Sequence, residues 1–170
     1  ELQLRDEPGD WQVNHPGLAG GGWAFQYENA YYPDLDDTAV VAWAMHLAPD
    51  RDRYAEAIRR AADWLRGMQS RNGGFAAFDS DNTHYALNEI PFADHGALLD
   101  PPTSDVSARC VALFGQLGRA DDRECLARAV AYLRNEQEEN GSWFGRWGTN
   151  YIYGTWSVLS ALEHVSEIET

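Results

Sequence analysis

Three aspartates crowd the stretch YYPDLDDTAVVAWAM (31–45): Asp34, Asp36 and Asp37 fall within four positions and run straight into an apolar helical segment. Carboxylates at that spacing can do one of three things. They can cap the helix, because an Asp-Asp-Thr run offers acceptors to the first backbone amides, and the helix dipole stabilises an anion there by about 0.3–1 kcal/mol. One aspartate suffices for that, and three repel one another. They can gather a divalent cation through dense oxygen ligation. Or they can hold a proton, since packed carboxylates do not all ionise near neutral pH, while the helix N-terminus and hydrogen-bonding partners stabilise the anion left behind. A proton retained at rest together with a stabilised conjugate base is what the protonation of a very weak base requires.

Other chemistries find less support. The segment DSDNTHYALNEI (79–90) has the acidic start of a calcium loop, but His84 stands where the sharp turn needs Gly and Ile90 where the bidentate Glu belongs. His15, His46, His84, His95 and His164 show no zinc-like spacing with Cys110 or Cys125, so no metal site is expected. There is no G-x-S-x-G nucleophile elbow and no phosphate-binding glycine loop. The two cysteines do not make a disulfide framework, and Cys110, inside an apolar helical run, reads as a small buried side chain of an intracellular protein.

The elements that position the aspartates follow from an internal repeat. RAADWLRGMQSRNGGF (60–75) matches RAVAYLRNEQEENGSW (128–143) at a shift of 68, with Arg60, Leu65, Arg66, Gln69, Asn72 and Gly73 recurring as Arg128, Leu133, Arg134, Gln137, Asn140 and Gly141. The same shift carries DTAVVAWAM (37–45) onto DVSARCVAL (105–113), and GTWSVLSAL (154–162) is a third, imperfect copy. Each unit predicts an amphipathic outer helix ending in Gln, a glycine turn that supplies its left-handed stop, an aromatic, a loop, and an inner helix that is apolar nearly all round. Alternating outer and inner helices predict an all-α fold, part of an α/α toroid. Residues 1–170 would form a single partial domain, about half of a six-hairpin ring. The loop from turn aromatic to inner helix spans 14 residues in the first unit (23 to 37), 30 in the second (75 to 105) and 11 in the third (143 to 154). The long one, rich in Phe, Tyr and Leu, is expected to form a lid or cavity wall. On this alignment Arg109 matches Val41, a charge on an inner helix that, directed inward, must meet a carboxylate.

Composition sets the outer limits. With 170 residues and 44% hydrophobic content the chain can bury a core, and a formal charge of −14 argues against nucleic acid or an anionic membrane surface as partner. No stretch approaches the roughly 18 consecutive apolar residues of a membrane span, and the charged start ELQLRDEPGD lacks a secretory apolar core. Without an initiator Met, the chain is expected to be a fragment.

Taken together, DLDDTA, the Gln-to-aromatic turns MQSRNGGF and EQEENGSW, GGWAFQYENAYYP, DPPTSDVSAR and GSWFGRWGTNYIYGTW resemble the D-x-D-D motif, the QW motifs and further blocks of squalene–hopene cyclases, the bacterial class II triterpene cyclases. The resemblance covers nearly the whole chain but only a central portion of the family's length. It implies that Asp36 protonates a terminal alkene of squalene or a similar polyprene, with Asp34 and Asp37 tuning it, and that no metal or other cofactor takes part. The emerging cation would be stabilised by aromatic faces, each worth about 0.5–2 kcal/mol. By position, Phe25 and Trp147 match cavity aromatics, Tyr153 a tyrosine near the acid, Asp105 a carboxylate of its hydrogen-bond network, and Phe92 the narrowing of the substrate channel. Two departures stand out. Arg109 replaces the His that partners the acid, so it can act only as a fixed cation, and Phe78 replaces a cavity Tyr. The family implies a parent enzyme peripheral (monotopic) on the cytoplasmic side of the bacterial inner membrane. The fragment itself is expected to be soluble, inactive alone, completed by the rest of its own parent chain, and prone to homo-oligomerise through exposed apolar surface. A diterpene cyclase would share D-x-D-D but lacks here a basic cluster for a diphosphate. A protein prenyltransferase subunit needs a zinc site, and a toroidal binding module would leave the aspartates replaceable.

Overall fold

In a computed structural model the described residues are 8–90 and 98–166, and they are mainly helical. A short helix α1 (Trp11–Asn14) precedes a two-stranded antiparallel ribbon, β1 (Trp23–Ala24) and β2 (Pro33–Asp34), in which Trp23 faces Asp34. Two helical hairpins follow. Helix α2 (Leu35–Leu47) passes through a 3-10 turn at Arg51–Tyr54 into α3 (Ala55–Gly67), and α4 (Ser104–Leu117) passes through one at Ala120–Asp122 into α5 (Arg123–Asn135). Helix α6 (Asn150–Ser166) closes the described chain. Helices α2, α4 and α6 pack side by side as an inner layer, with α3 against α2 and α5 against α4. This is the all-α toroid fragment that the repeat predicts.

The layers follow from patterning. Helices α3 and α5 turn one apolar stripe inward, Ile58, Ala61, Ala62, Trp64 and Leu65 on the first and Leu126, Ala129, Val130, Tyr132 and Leu133 on the second. Helix α4 lies between α2, α5 and α6, and eleven of its fourteen residues are buried. The inner helices at the two ends have fewer neighbours and leave apolar side chains uncovered: Val40 and Leu47 on α2, and Tyr151, Ile152, Trp156 and Leu159 on α6.

The repeated turns act as clasps between hairpins. Gln69 Nε2 donates to Gly73 O at 2.9 Å and to Cys125 O at 2.8 Å, tying the turn after α3 to the start of α5. Arg128 of α5 reaches back to the carbonyls of Ser70 and Arg71, as Arg60 of α3 does to Gly20 O. Each outer helix also lays an aromatic ring against a turn glycine. A Cβ on Gly22 would stand 2.8 Å from the Trp64 ring, and one on Gly74 2.7 Å from that of Tyr132. The left-handed glycines Gly73 (φ 92°) and Gly141 (φ 86°) correct one expectation. They lie inside these turns rather than at the helix ends, because α3 stops at Met68 with φ −87° and the Gln side chain then closes the turn. The left-handed helix stop belongs instead to inner helix α4, at Gly118 (φ 58°).

Candidate active site

A hydroxyl at the start of each inner helix receives the backbone N–H of the turn aromatic before it. Trp23 N donates to Thr38 Oγ1 at 2.8 Å, Phe75 N to Ser107 Oγ at 2.9 Å, and Trp143 N to Thr155 Oγ1 at 3.0 Å. The bridge between Phe75 and Thr103, the residue before α4, likewise repeats the pairing of Trp23 with Asp34, the residue before α2. Thr38 and Ser107 differ by 69, not 68, so the inner helices are one residue out of the register read from the outer ones. The physical reason lies within the hairpin: α4 runs one residue longer than α2, and the connection after it has five residues (118–122) rather than seven (48–54), a net shortening of one. Arg109 is therefore equivalent to Val40 rather than Val41, and Asp36, Asp105 and Tyr153 occupy one and the same slot on three adjacent helices, two residues before the hydroxyl.

The three aspartates have separate tasks. Asp34 is the N-cap of α2, extended at φ −104° and ψ 132°, and its Oδ1 accepts the Asp37 amide at 3.0 Å. Burial pushes its pKa up to about 7 against the pull of that amide, with the charges of Asp37 and Asp36 adding to the rise. Asp36 faces a cavity of about 320 Å³ lined also by Phe25, Asp34, Asp37, Ala77, Phe78, Val106, Trp147 and Tyr153. Burial raises its pKa to about 6, Arg109 draws it down, and Asp37 and Asp105 push it up. Asp37 is also raised, by burial.

Arg109 projects from the middle inner helix to both neighbours. Its Nε stands 3.4 Å from Asp36 Oδ1, its NH2 donates to Tyr153 Oη at 3.2 Å, and the guanidinium lies over the rings of Tyr153 (5.7 Å) and Trp156 (5.2 Å). Asp36 Oδ1 and Arg109 Nε are both buried and neither has a hydrogen-bond partner among the described residues. The inward cation thus meets its carboxylate as an open ion pair. Asp105 is buried beside it and accepts two backbone amides, Val106 N at 3.1 Å and Trp147 N at 2.8 Å. It reaches Asp36 by charge, and it also anchors the loop that carries Trp147.

The aromatic wall is fixed from behind. Phe78 and Trp147 meet edge to face at 6.4 Å. Asp100 Oδ2 accepts the Phe78 amide at 2.8 Å, Ala77 O accepts the Leu35 amide at 2.8 Å, and Arg146 stacks on Trp147 at 5.4 Å while donating to Leu99 O. Of the described part of the long loop, Ala77 and Phe78 form cavity wall. Phe92 lies outside the described residues. Asp100, Arg146 and Trp156 escaped the sequence reading. Asp100 opens the block DPPTSDVSAR, and Arg146 and Trp156 lie in GSWFGRWGTNYIYGTW, the only signal they gave; Arg146 stacks on its sequence neighbour, whereas the contact of Trp156 with Arg109 arises from tertiary packing.

Residues 1–170 match the model of the squalene-hopene cyclase C-terminal domain. The chain is 61% identical over 161 residues to a squalene-hopene cyclase of Schizosaccharomyces japonicus, covering 94% of this chain and 24% of that protein. It is 58% identical to a probable squalene–hopene cyclase of Sinorhizobium fredii (94% and 25%) and 52% identical to the squalene–hopene cyclase of Alicyclobacillus acidocaldarius (93% and 25%). The chain spans about a quarter of the length of these curated relatives. With the aspartates, the facing cation and the repeated turns all inside a match that runs from end to end, the chain belongs to the squalene-hopene cyclase C-terminal domain family.

Proposed function

We propose that this chain is the acid-bearing part of a class II terpene cyclase, in which Asp36 protonates a terminal alkene of squalene and the parent enzyme cyclises it to hopene-type pentacyclic triterpenes. The observation that carries the reading is the open pair of Asp36 Oδ1 and Arg109 Nε, 3.4 Å apart at an aromatic-lined cavity. A carboxyl group whose pKa is raised to about 6 keeps its proton in about a tenth of molecules at pH 7, far more than an ordinary aspartate does. When the alkene's π electrons take that proton, the carboxylate left behind can close on a guanidinium already beside it. The hydrogen bond is gained only as charge develops, which is how a site favours the transition state over the resting one. The α2 N-terminus adds its dipole to the same anion.

The positive charge then moves along the polyprene as rings close, and loss of a proton ends the sequence. Phe25, Phe78, Trp147 and Tyr153 offer π faces along the cavity. Neither step consumes a metal or an organic cofactor. Arg109 is permanently charged, so the proton returns to Asp36 by a route other than this side chain. The rest of the parent chain would complete the ring and place the enzyme peripherally at the cytoplasmic face of the bacterial inner membrane. Among the described residues no helix is long and apolar enough to cross a membrane. The isolated chain, with the outer faces of α2 and α6 uncovered, is inactive and self-associates.

The test is Asp36→Asn in the full-length parent, incubated with squalene and analysed for products. Loss of cyclisation with an unchanged melting profile supports the acid assignment, and retained turnover overturns it.

A further inference from the structure

Arg109 is weakly tethered for a group on which an acid depends. Its one hydrogen bond among the described residues runs to Tyr153 Oη, at 3.2 Å, and its contact with Asp36 lacks hydrogen-bond geometry. A guanidinium with five donors and a flexible stem has other orientations open to it. What fills the space on its far side is the indole of Trp156, with the cation 5.2 Å from the ring centroid, while Tyr153 and Trp156 lie 6.2 Å apart on successive turns of α6. The repeat shows that hairpin packing does not ask for an indole here. In the register set by the hydroxyl bridges, Trp156 corresponds to Ala39 on α2 and Ala108 on α4, both buried and both small. The third inner helix thus departs from the pattern at a position whose side chain meets Arg109, one turn beyond Tyr153.

We infer that Trp156 is a positioning residue for the acid, its ring face holding the Arg109 guanidinium within reach of Asp36 while the pair is open. This rests on the acid reading of Asp36 and extends it to a residue that does not itself line the cavity, standing behind Tyr153, which does. An aromatic face holds a cation without consuming its N–H donors, so Arg109 Nε stays available for the carboxylate that forms. A carboxylate in this place would hold Arg109 more firmly but would draw it from Asp36.

The groups facing Asp36 are Asp34 and Asp37 on its own segment, Arg109 and Asp105 from α4, and Tyr153 from α6. Arg109 alone among them is a cation, and it lowers the proton affinity of Asp36. Freeing it therefore does two things: the anion is stabilised less, which slows proton transfer, and Asp36 holds its proton to higher pH.

The experiment uses the full-length parent enzyme and squalene. Trp156→Leu is expected to lower kcat about two- to fivefold, the scale of one cation–π contact open to solvent on one side, and to move the alkaline limb of the kcat–pH profile upward. Trp156→Phe, which keeps a π face, recovers most of both. In an Arg109→Gln background, Trp156→Leu changes neither kcat nor the limb. Equal losses in both backgrounds, or an unmoved limb, would reduce Trp156 to a packing role and overturn the inference. If the leucine variant fails to fold, the smaller loss in Trp156→Phe must likewise vanish with Arg109→Gln. Retained turnover by Asp36→Asn, measured separately, would instead remove the acid reading itself.

Discussion

The first turns of α2 and α4 are copies of one design that carry the same residue in the same slot and use it differently. Asp105 is 1% exposed and spends its oxygens on the amides of Val106 and Trp147. Asp36 keeps 32% of its side chain exposed at the cavity and leaves Oδ1 without a hydrogen-bond partner among the described residues, facing a cation at 3.4 Å. The repeat fixes where a carboxylate stands, and the neighbours decide whether its oxygens are taken up by amides or left open toward a cation. The proposed acid is the open one, whose proton affinity burial raises.

The largest expected effect separates the two roles. In the full-length parent, Asp36→Asn should lower squalene turnover by about 10⁴-fold or more, since of the three cavity aspartates it alone faces Arg109, with the fold intact. Asp105→Asn should retain measurable turnover, because its carbonyl can still accept one amide. Product analysis beside thermal melting checks both, and equal losses would erase the distinction between acid and anchor.

The acid end should also carry a pH signature in the isolated chain. Asp34 and Asp36 have folded pKa values raised to about 7 and about 6 from 3.8. Between those limits the folded state binds more protons than the unfolded one, so stability is full below about pH 4 and falls as pH rises through 6 and 7. For Asp34, 8% exposed, the loss by pH 8 is up to about 4 kcal/mol. Denaturant unfolding at pH 5 and pH 8 measures it. Burial also raises the pKa of Asp100 to about 6, so it contributes to the same fall. The Asp34→Asn, Asp36→Asn double variant should reduce the dependence to the part that Asp100 carries, and an unchanged slope would show that the cluster is not the source.

Much of this contrast was legible in the sequence, and the missing part has a physical cause. Helical periodicity, Gln-to-aromatic turns and three aspartates before an apolar run are local signals, so the layers and Asp34, Asp36 and Asp37 could be named from them. The repeat singled out Arg109 as a charge on an inner helix, and resemblance added Asp105, Tyr153 and the cavity aromatics. The one-residue slip between inner and outer helices hid that Asp36, Asp105 and Tyr153 share a slot, because matching residue types cannot detect a shorter connection. The hydroxyl bridges from Trp23, Phe75 and Trp143 expose it. Likewise, nothing local marks Trp156 as the partner of a cation on another helix.

At the anchor end, Asp105→Ala removes the acceptor for the amides of Val106 and Trp147 and should destabilise the isolated chain by about 3 kcal/mol in denaturant unfolding. A loss well below that would mean that Asp105 is not the anchor of the Trp147 loop.

The smallest effect tests the frame common to both ends. Thr38 and Ser107 are fully buried and hold the amides of Trp23 and Phe75, which set the height of each inner helix against its preceding turn. Thr38→Val and Ser107→Ala each leave one buried amide unpaired and should cost about 1–2 kcal/mol in denaturant unfolding. Their functional consequences should differ although their energies match. Releasing Trp23 frees the ribbon that leads into Asp34 and Asp36, so Thr38→Val should lower turnover by the full-length parent several-fold. Releasing Phe75 loosens the start of α4, whose carboxylate is held independently by the Trp147 amide, so Ser107→Ala should leave turnover nearly unchanged. Equal kinetic losses would mean that the bridges act through the inner layer as a whole rather than through the carboxylate each one supports.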